Sequence, residues 1–185
     1  MPSHAPNSLW DILFRLGRFL TEEDGNVVIE FALVAPVLVV LIVNILDFSS
    51  LIWDQMEVDY SAQTGGQAGY KECSTRTLPA KSTTNCPNLD TKVTTAIQST
   101  SLGTGVTSAT GSPSEIYYCV SGTTLQSVAT YPSSPPANCS AYGNASVAPG
   151  DYLVVNVNYS YSPTFGGLSL VSARTLTGQS MERLK

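Results

Sequence analysis

Hydrophobic positions follow two regimes along this chain. Residues 27–53 read VVIEFALVAPVLVVLIVNILDFSSLIW, an apolar run without Lys or Arg. As a helix it is about 40 Å long, enough to cross a bilayer. Basic residues lie before it at Arg15 and Arg18 and next at Lys71. That asymmetry predicts the N-terminus inside and the C-terminus outside; Glu22, Glu23 and Asp24 count for little in this rule. A secretory signal peptide has a shorter apolar core, about 7–15 residues, ending at a small-residue cleavage site. This run instead ends at Trp53, which suits the outer interfacial belt, so the segment is expected to stay in the mature protein.

Upstream, Leu9, Trp10, Leu13, Leu16 and Leu20 recur at helical spacing, with Ser8 placed to cap. Two readings stand there: an amphipathic stretch on the inner membrane surface with Arg15 and Arg18 toward lipid phosphates, or a disposable tail. Downstream the helical pattern continues to about residue 70. Met56, Val58 and Ala62 can pack, and Asp54, Glu57 and Asp59 face water. Gly65, Gly66 and Gly69 are expected to weaken or end this helix.

The second regime is shorter in period. Leu89, Val93 and Ile97 argue for a short amphipathic helix within residues 88–102. Residues 115–120 (EIYYCV) and 151–161 (DYLVVNVNYSY) are β-branched and aromatic, as strands are. In the second, Val155, Val157, Tyr159 and Tyr161 alternate with Asn156, Asn158 and Ser160, a half-buried antiparallel strand. Residues 170–177 read as a final strand, and the Pro-rich residues 131–138 as a loop. The expected fold class is α+β: a long N-terminal transmembrane helix extending into the periplasm, then a small antiparallel-sheet domain with one short helix. The expected segments are a leader at 1–25, a transmembrane helix at 26–53, its periplasmic extension at 54–72 and a disulfide-containing β-rich domain at 73–185.

Composition narrows the function. The formal net charge of the 185 residues is −5. With no basic cluster to neutralise phosphates, nucleic acid is not an expected partner. Cys73, Cys86, Cys119 and Cys139 all follow the apolar run, which fits two disulfides in an oxidising compartment. Of the three possible pairings, Cys73–Cys86 with Cys119–Cys139 is favoured, because each closes a short loop containing Pro, Ser or Asn. No C-x-x-C pair exists and the lone histidine is His4, so no metal and no cofactor is expected. Serines are abundant, but no histidine or paired acid of the exterior domain could activate one, and the chain is not expected to be an enzyme. Asp54, Glu57 and Asp59 read as a solvated helix face rather than a Ca²⁺ site. The sequons at Asn138, Asn144 and Asn158 read as chance in Ser/Asn-rich sequence.

The informative residue is Glu30, five positions after Gly25 and inside the apolar run. A carboxylate there costs roughly 2.5–3.5 kcal/mol at a bilayer centre, less near an interface, and needs a partner. Cleavage after Gly25 would create one, an α-amine at Asn26. In a filament the amine of one subunit can meet Glu30 of a neighbour and set the register between them. Pro36 removes one helical N–H; it either kinks the helix for packing or is simply tolerated, as prolines in membrane helices are.

Gly25, Glu30-Phe31-Ala32-Leu33, Pro36, the apolar run to Leu46, Asp47-Phe48 and the small residues around Ala62 and Gly65 resemble the TadE-like family of minor pilins or pseudopilins of tight-adherence pili. The resemblance covers about a quarter of the chain. It departs at Asn26, where many type IV pilins have Phe, and at Asp47, where the family often has Glu. It implies a pilin-like fold and cleavage by a membrane prepilin peptidase between Gly25 and Asn26. It also implies an assembly role for Glu30 and Phe31, and helix packing at Pro36, Asp47 and Phe48. Implied partners are the prepilin peptidase, other major and minor pilins, an inner-membrane assembly platform and the lipid bilayer. The implied location is the bacterial inner membrane, single-pass, with possible incorporation into an extracellular pilus. The rival reading is a permanently anchored periplasmic module that binds or adheres.

Overall fold

A computed structural model describes residues 23–82 and 84–185, with side chains from residue 27 onward. The leader pattern around Ser8, Arg15 and Arg18 lies outside the described residues.

The first element, α1, runs from Glu23–Cys73 and is 51 residues long, about 75 Å of helix. It includes Pro36 without interruption. It also runs through Gly65, Gly66 and Gly69, so the expectation that these glycines end the helix is corrected. They mark where the helix is approached most closely. A Cβ on Gly65 would stand 2.6 Å from Ile97 Cγ2, and one on Gly69 would overlap Leu153 Cδ2. Packing contact repays the helix propensity that glycine lacks.

The short helix α2 is Leu89–Ile97, with Leu89, Val93 and Ile97 buried at the expected spacing. It ends before residue 102, and a 3₁₀ turn follows at Gly103–Gly105. The strands are β1 Val106–Ser108, β2 Ser114–Ser121, β3 Thr124–Thr130, β4 Gly150–Tyr161 and β5 Arg174–Arg183. All pairings are antiparallel. The centre is β4: β5 pairs along nearly its whole length, while β2 and β1 share its other edge and β3 lies outside β2.

On β4 the odd-numbered residues Leu153, Val155, Val157 and Tyr161 are buried, and Ser160 faces out. They form one core with Leu51, Val58 and Ala62 of α1, Leu89, Val93 and Ile97 of α2, and Leu176 of β5. The last strand begins four residues later than expected and extends to Arg183. Its inward positions are Leu176, Gly178 and Ser180, too small and too polar to give a hydrophobic alternation. They are small because α1 lies on them: a Cβ on Gly178 would be 2.8 Å from the carbonyl oxygen of Val58.

Disulfides join Cys73 to Cys86 and Cys119 to Cys139, with sequence separations of 13 and 20. The first ties the end of α1 to the approach to α2. The second ties β2 to the loop before β4. Loops of this size gain about 3 kcal/mol each in the chain-entropy account.

Gly178→Val is expected to destabilise the domain by roughly 1–3 kcal/mol, because helix backbone, not a flexible side chain, blocks the added atoms. Gly167→Ala, with open space around it, should change stability by less than about 0.5 kcal/mol. Denaturant melts of both variants with disulfides intact check the contrast.

Candidate functional site

Three groups of residues carry chemistry, and they lie at different heights along α1. The lowest is the expected processing and assembly site. Gly25 and Asn26 lie within the helical backbone. Glu30 and Phe31 are exposed, as are nearly all residues from 27 to 42. Among the described residues Glu30 forms neither a hydrogen bond nor an ion pair. Glu30 and Asp47 are 17 positions apart, about 26 Å along the axis. The sheet domain begins to touch α1 only near Val43 and Asp47, so no group of this chain's own domain can serve Glu30.

The middle group is a polar collar that the sequence did not reveal. Asp47 is 1% exposed. Its carboxylate accepts the backbone N–H of Thr164 at 3.0 Å and of Phe165 at 3.4 Å. The Tyr161 hydroxyl donates to the Asp47 carbonyl at 2.8 Å. One turn lower, Asn44 Oδ1 accepts the N–H of Leu170 at 2.7 Å, and Asn44 Nδ2 donates to the carbonyl of Leu168 at 3.3 Å. Asp47 was expected in helix packing; the structure makes it the clamp for the loop between β4 and β5. Phe48 beside it is exposed and lines a groove with Ile52, Met56 and Arg174.

The upper group is a buried acidic pair. Glu115 of β2 and Asp151 of β4 are 1% and 5% exposed, on paired strands. Glu115 Oε2 accepts the backbone N–H of Lys81 at 2.7 Å, and Tyr117 Oη donates to Oε1 at 3.4 Å. Asp151 Oδ1 has no donor among the described residues. Burial first, then the neighbouring Glu115 carboxylate, pushes Asp151 up to about 7. The Tyr117 hydroxyl is also pushed up, by burial and then by the charges of Glu115 and Asp151. The group opens on a pocket of about 490 Å³ lined by Pro79, Pro135, Pro136, Pro149, Arg183 and Lys185. Two buried carboxyl groups thus lie at a pocket that two basic side chains also line; among the described residues no nucleophile stands with them to make a catalytic set. No cluster of His, Cys, Asp and Glu suited to a metal occurs among the described residues.

Sequence reasoning placed Asp47 and Phe48 on the helix but missed Asn44, Tyr161 and the 162–171 loop. It also missed the Glu115–Asp151 pair. An Asn and an Asp one turn apart at the end of an apolar run were the available signal for the collar. The structure keeps Glu30 and Asp47 apart, and neither is near the disulfides.

The architecture is α+β: among the described residues one helix is long and apolar enough to span a membrane, and an antiparallel-sheet domain packs on its second half. A family model described as TadE-like protein matches residues 25–67, less than a quarter of the chain. Over that segment, which holds Gly25, Glu30, Asn44, Asp47 and Gly65, the chain is similar to the TadE-like family, a likeness that points toward tight-adherence pili. No curated protein and no solved structure matches the chain.

Asp47→Ala strips two backbone N–H groups of a charged acceptor and should cost roughly 3 kcal/mol locally. Hydrogen exchange should quicken at Thr164 and Phe165 while the amides of β4 stay protected. The Asp151 carboxyl gives a pH signature. Its folded pKa is raised above the unfolded value near 3.8 to about 7. The folded state therefore holds the proton more tightly, and the stability it contributes is full below the unfolded value and lost as pH rises through about 7. Melting temperature should fall between pH 5 and pH 8. Asp151→Asn should flatten that part of the profile, with Glu115, Tyr117, Arg183 and Lys185 still facing the site.

Proposed function

We propose that this chain is a minor pilin or pseudopilin that takes part in assembling a tight-adherence pilus or a related secretion filament. A prepilin peptidase cleaves it between Gly25 and Asn26. The leader faces the cytoplasm, the span lies in the inner membrane and the disulfide-bonded domain faces the periplasm. Its role is structural, through contacts with other pilins and an assembly platform, rather than catalytic. The observation that carries this reading is the family match beginning at Gly25 together with an exposed Glu30 that its own domain does not reach. A carboxylate in lipid without a partner is costly, so the partner comes from another molecule. The Asn26 amine of a neighbour is the cation that processing makes available at that height. Helix α1 runs through the cleavage point, so its first turn unwinds to enter the peptidase.

Two measurements test this. Intact-mass analysis from an assembling system should give a chain starting at Asn26. Glu30→Ala should leave insertion and cleavage intact but prevent co-purification with other pilins, since breaking a buried ion pair costs about 3–5 kcal/mol. Glu30→Asp should fall between. Normal assembly by Glu30→Ala would favour the permanently anchored binding module.

A further inference from the structure

We propose that the loop between β4 and β5, residues 162–171, is a second membrane contact, seated in the leaflet on the domain's side of the span. This rests on the reading of α1 as a membrane-spanning helix.

The loop reads SPTFGGLSLV and contains no charged residue; from Tyr152 to Ala173 the chain has none. Its large side chains point away from the protein. Leu170 is 90% exposed, Leu168 55% and Phe165 41%. Leucines this exposed on a short ordered loop mark a surface that something apolar covers. The height of the loop identifies the occupant. It is hydrogen-bonded to Asn44 and Asp47, inside the apolar run of the helix. Counting from one end, residues 27–46 make a helix of about 30 Å, the thickness of the hydrocarbon layer, and Asn44 lies in its last turn. Counting from the other, Asn44 lies nine residues below Trp53, about 14 Å beneath the interfacial belt. Both counts put Leu168 and Leu170 in the leaflet. The surrounding surface is continuous with them: Ile45, Leu46 and Phe48 are exposed on the same stretch of helix.

The backbone of the loop is partly satisfied within the protein. Non-helical chain at membrane depth must satisfy its polar groups without water. Thr164 and Phe165 donate to Asp47, Leu168 and Ser169 to the Phe165 carbonyl, Leu170 to Asn44 and Val171 to the Ser169 hydroxyl. The N–H groups of Ser162, Gly166 and Gly167 have no partner among the described residues, and of the loop's carbonyls only those of Phe165 and Leu168 accept a bond there. Just past the loop, Arg174 lines the groove with Phe48, Ile52 and Met56, at the height where a guanidinium can meet lipid phosphate. The apolar continuity with the span favours lipid over a second copy of the chain as the occupant.

The test is depth-dependent quenching of the full chain in phosphatidylcholine vesicles carrying brominated acyl chains. The native Trp10 and Trp53 are replaced by Phe, and single tryptophans are introduced as Leu170→Trp, Ile45→Trp and Leu125→Trp. Leu125 lies on the outer strand β3 and is the water-facing reference. Leu170→Trp should be blue-shifted and quenched within about twofold of Ile45→Trp, with Leu125→Trp unquenched. Asn44→Ala together with Asp47→Ala should reduce the Leu170→Trp quenching severalfold. Quenching of Ile45→Trp with Leu170→Trp left like Leu125→Trp overturns the loop contact while keeping the span. No quenching of Ile45→Trp overturns the span and the loop contact together. Leu170→Trp quenching that disappears as protein-to-lipid ratio rises assigns the loop to a neighbouring subunit and overturns the proposal.

Discussion

The carboxylate of Asp47 sits where one helix, exposed on nearly all sides below it, begins to pack against the sheet domain, and the arrangement of the molecule depends on it. Below Val43 nearly all the side chains of α1 are exposed. Above it the same helix has one face buried against β4, β5 and α2. A continuous helix with two environments needs a defined boundary. Here the boundary consists of Asp47 accepting two loop N–H groups, the Tyr161 hydroxyl on its carbonyl, and Asn44 one turn below. A buried carboxylate is tolerable only because these donors replace water. The bonds join a loop of the sheet domain to the helix within its apolar run, where the domain first meets it.

Much of the architecture was legible in the residues. A run free of Lys and Arg announces a spanning helix, and the three-residue stripe Leu89, Val93, Ile97 announces α2. The alternation along β4 was correct because its outward face is polar and its inward face is branched and aromatic. The pairing of the cysteines followed from the small loops they close. What stayed hidden shares one physical cause. Gly65, Gly66 and Gly69 are small because side chains of α2, β4 and β5, Ser180 among them, press against the helix there, and Gly178 because the backbone at Val58 does. Taken locally, small residues say "weak helix" or "no strand"; only the partner across the contact gives them meaning. That is why the glycines were expected to weaken or end the helix and β5 was placed four residues too soon.

The polar sites divide in the same way. Glu30 stood out because its setting is local: a charge inside an apolar run. Glu115 and Asp151 did not, because each looks like an ordinary acidic residue at a strand end until β2 and β4 pair and bring them together. Asn44 and Asp47 were visible as polar residues near the end of the run. Their partners lie about 120 residues away in sequence, at Thr164, Phe165 and Leu170, which local pattern does not connect.

The mechanical consequence follows from where the contacts are. From Val58 to Gly69 the helix cannot rotate or slide without driving backbone or added volume into Ile97, Leu153 and Ser180, so this half and the sheet domain move as one body. Protein interiors resist such displacement because they are close-packed. From residue 27 to 42 the chain's own domain offers almost no contact. Pro36 lies in that free stretch, eight residues below Asn44 and six above Glu30, and it removes a hydrogen bond to the carbonyl near Ala32. Bending of α1 is therefore cheapest at Pro36. A register set at Glu30 reaches the domain through that compliant point, whereas a contact made at the 162–171 loop reaches it directly.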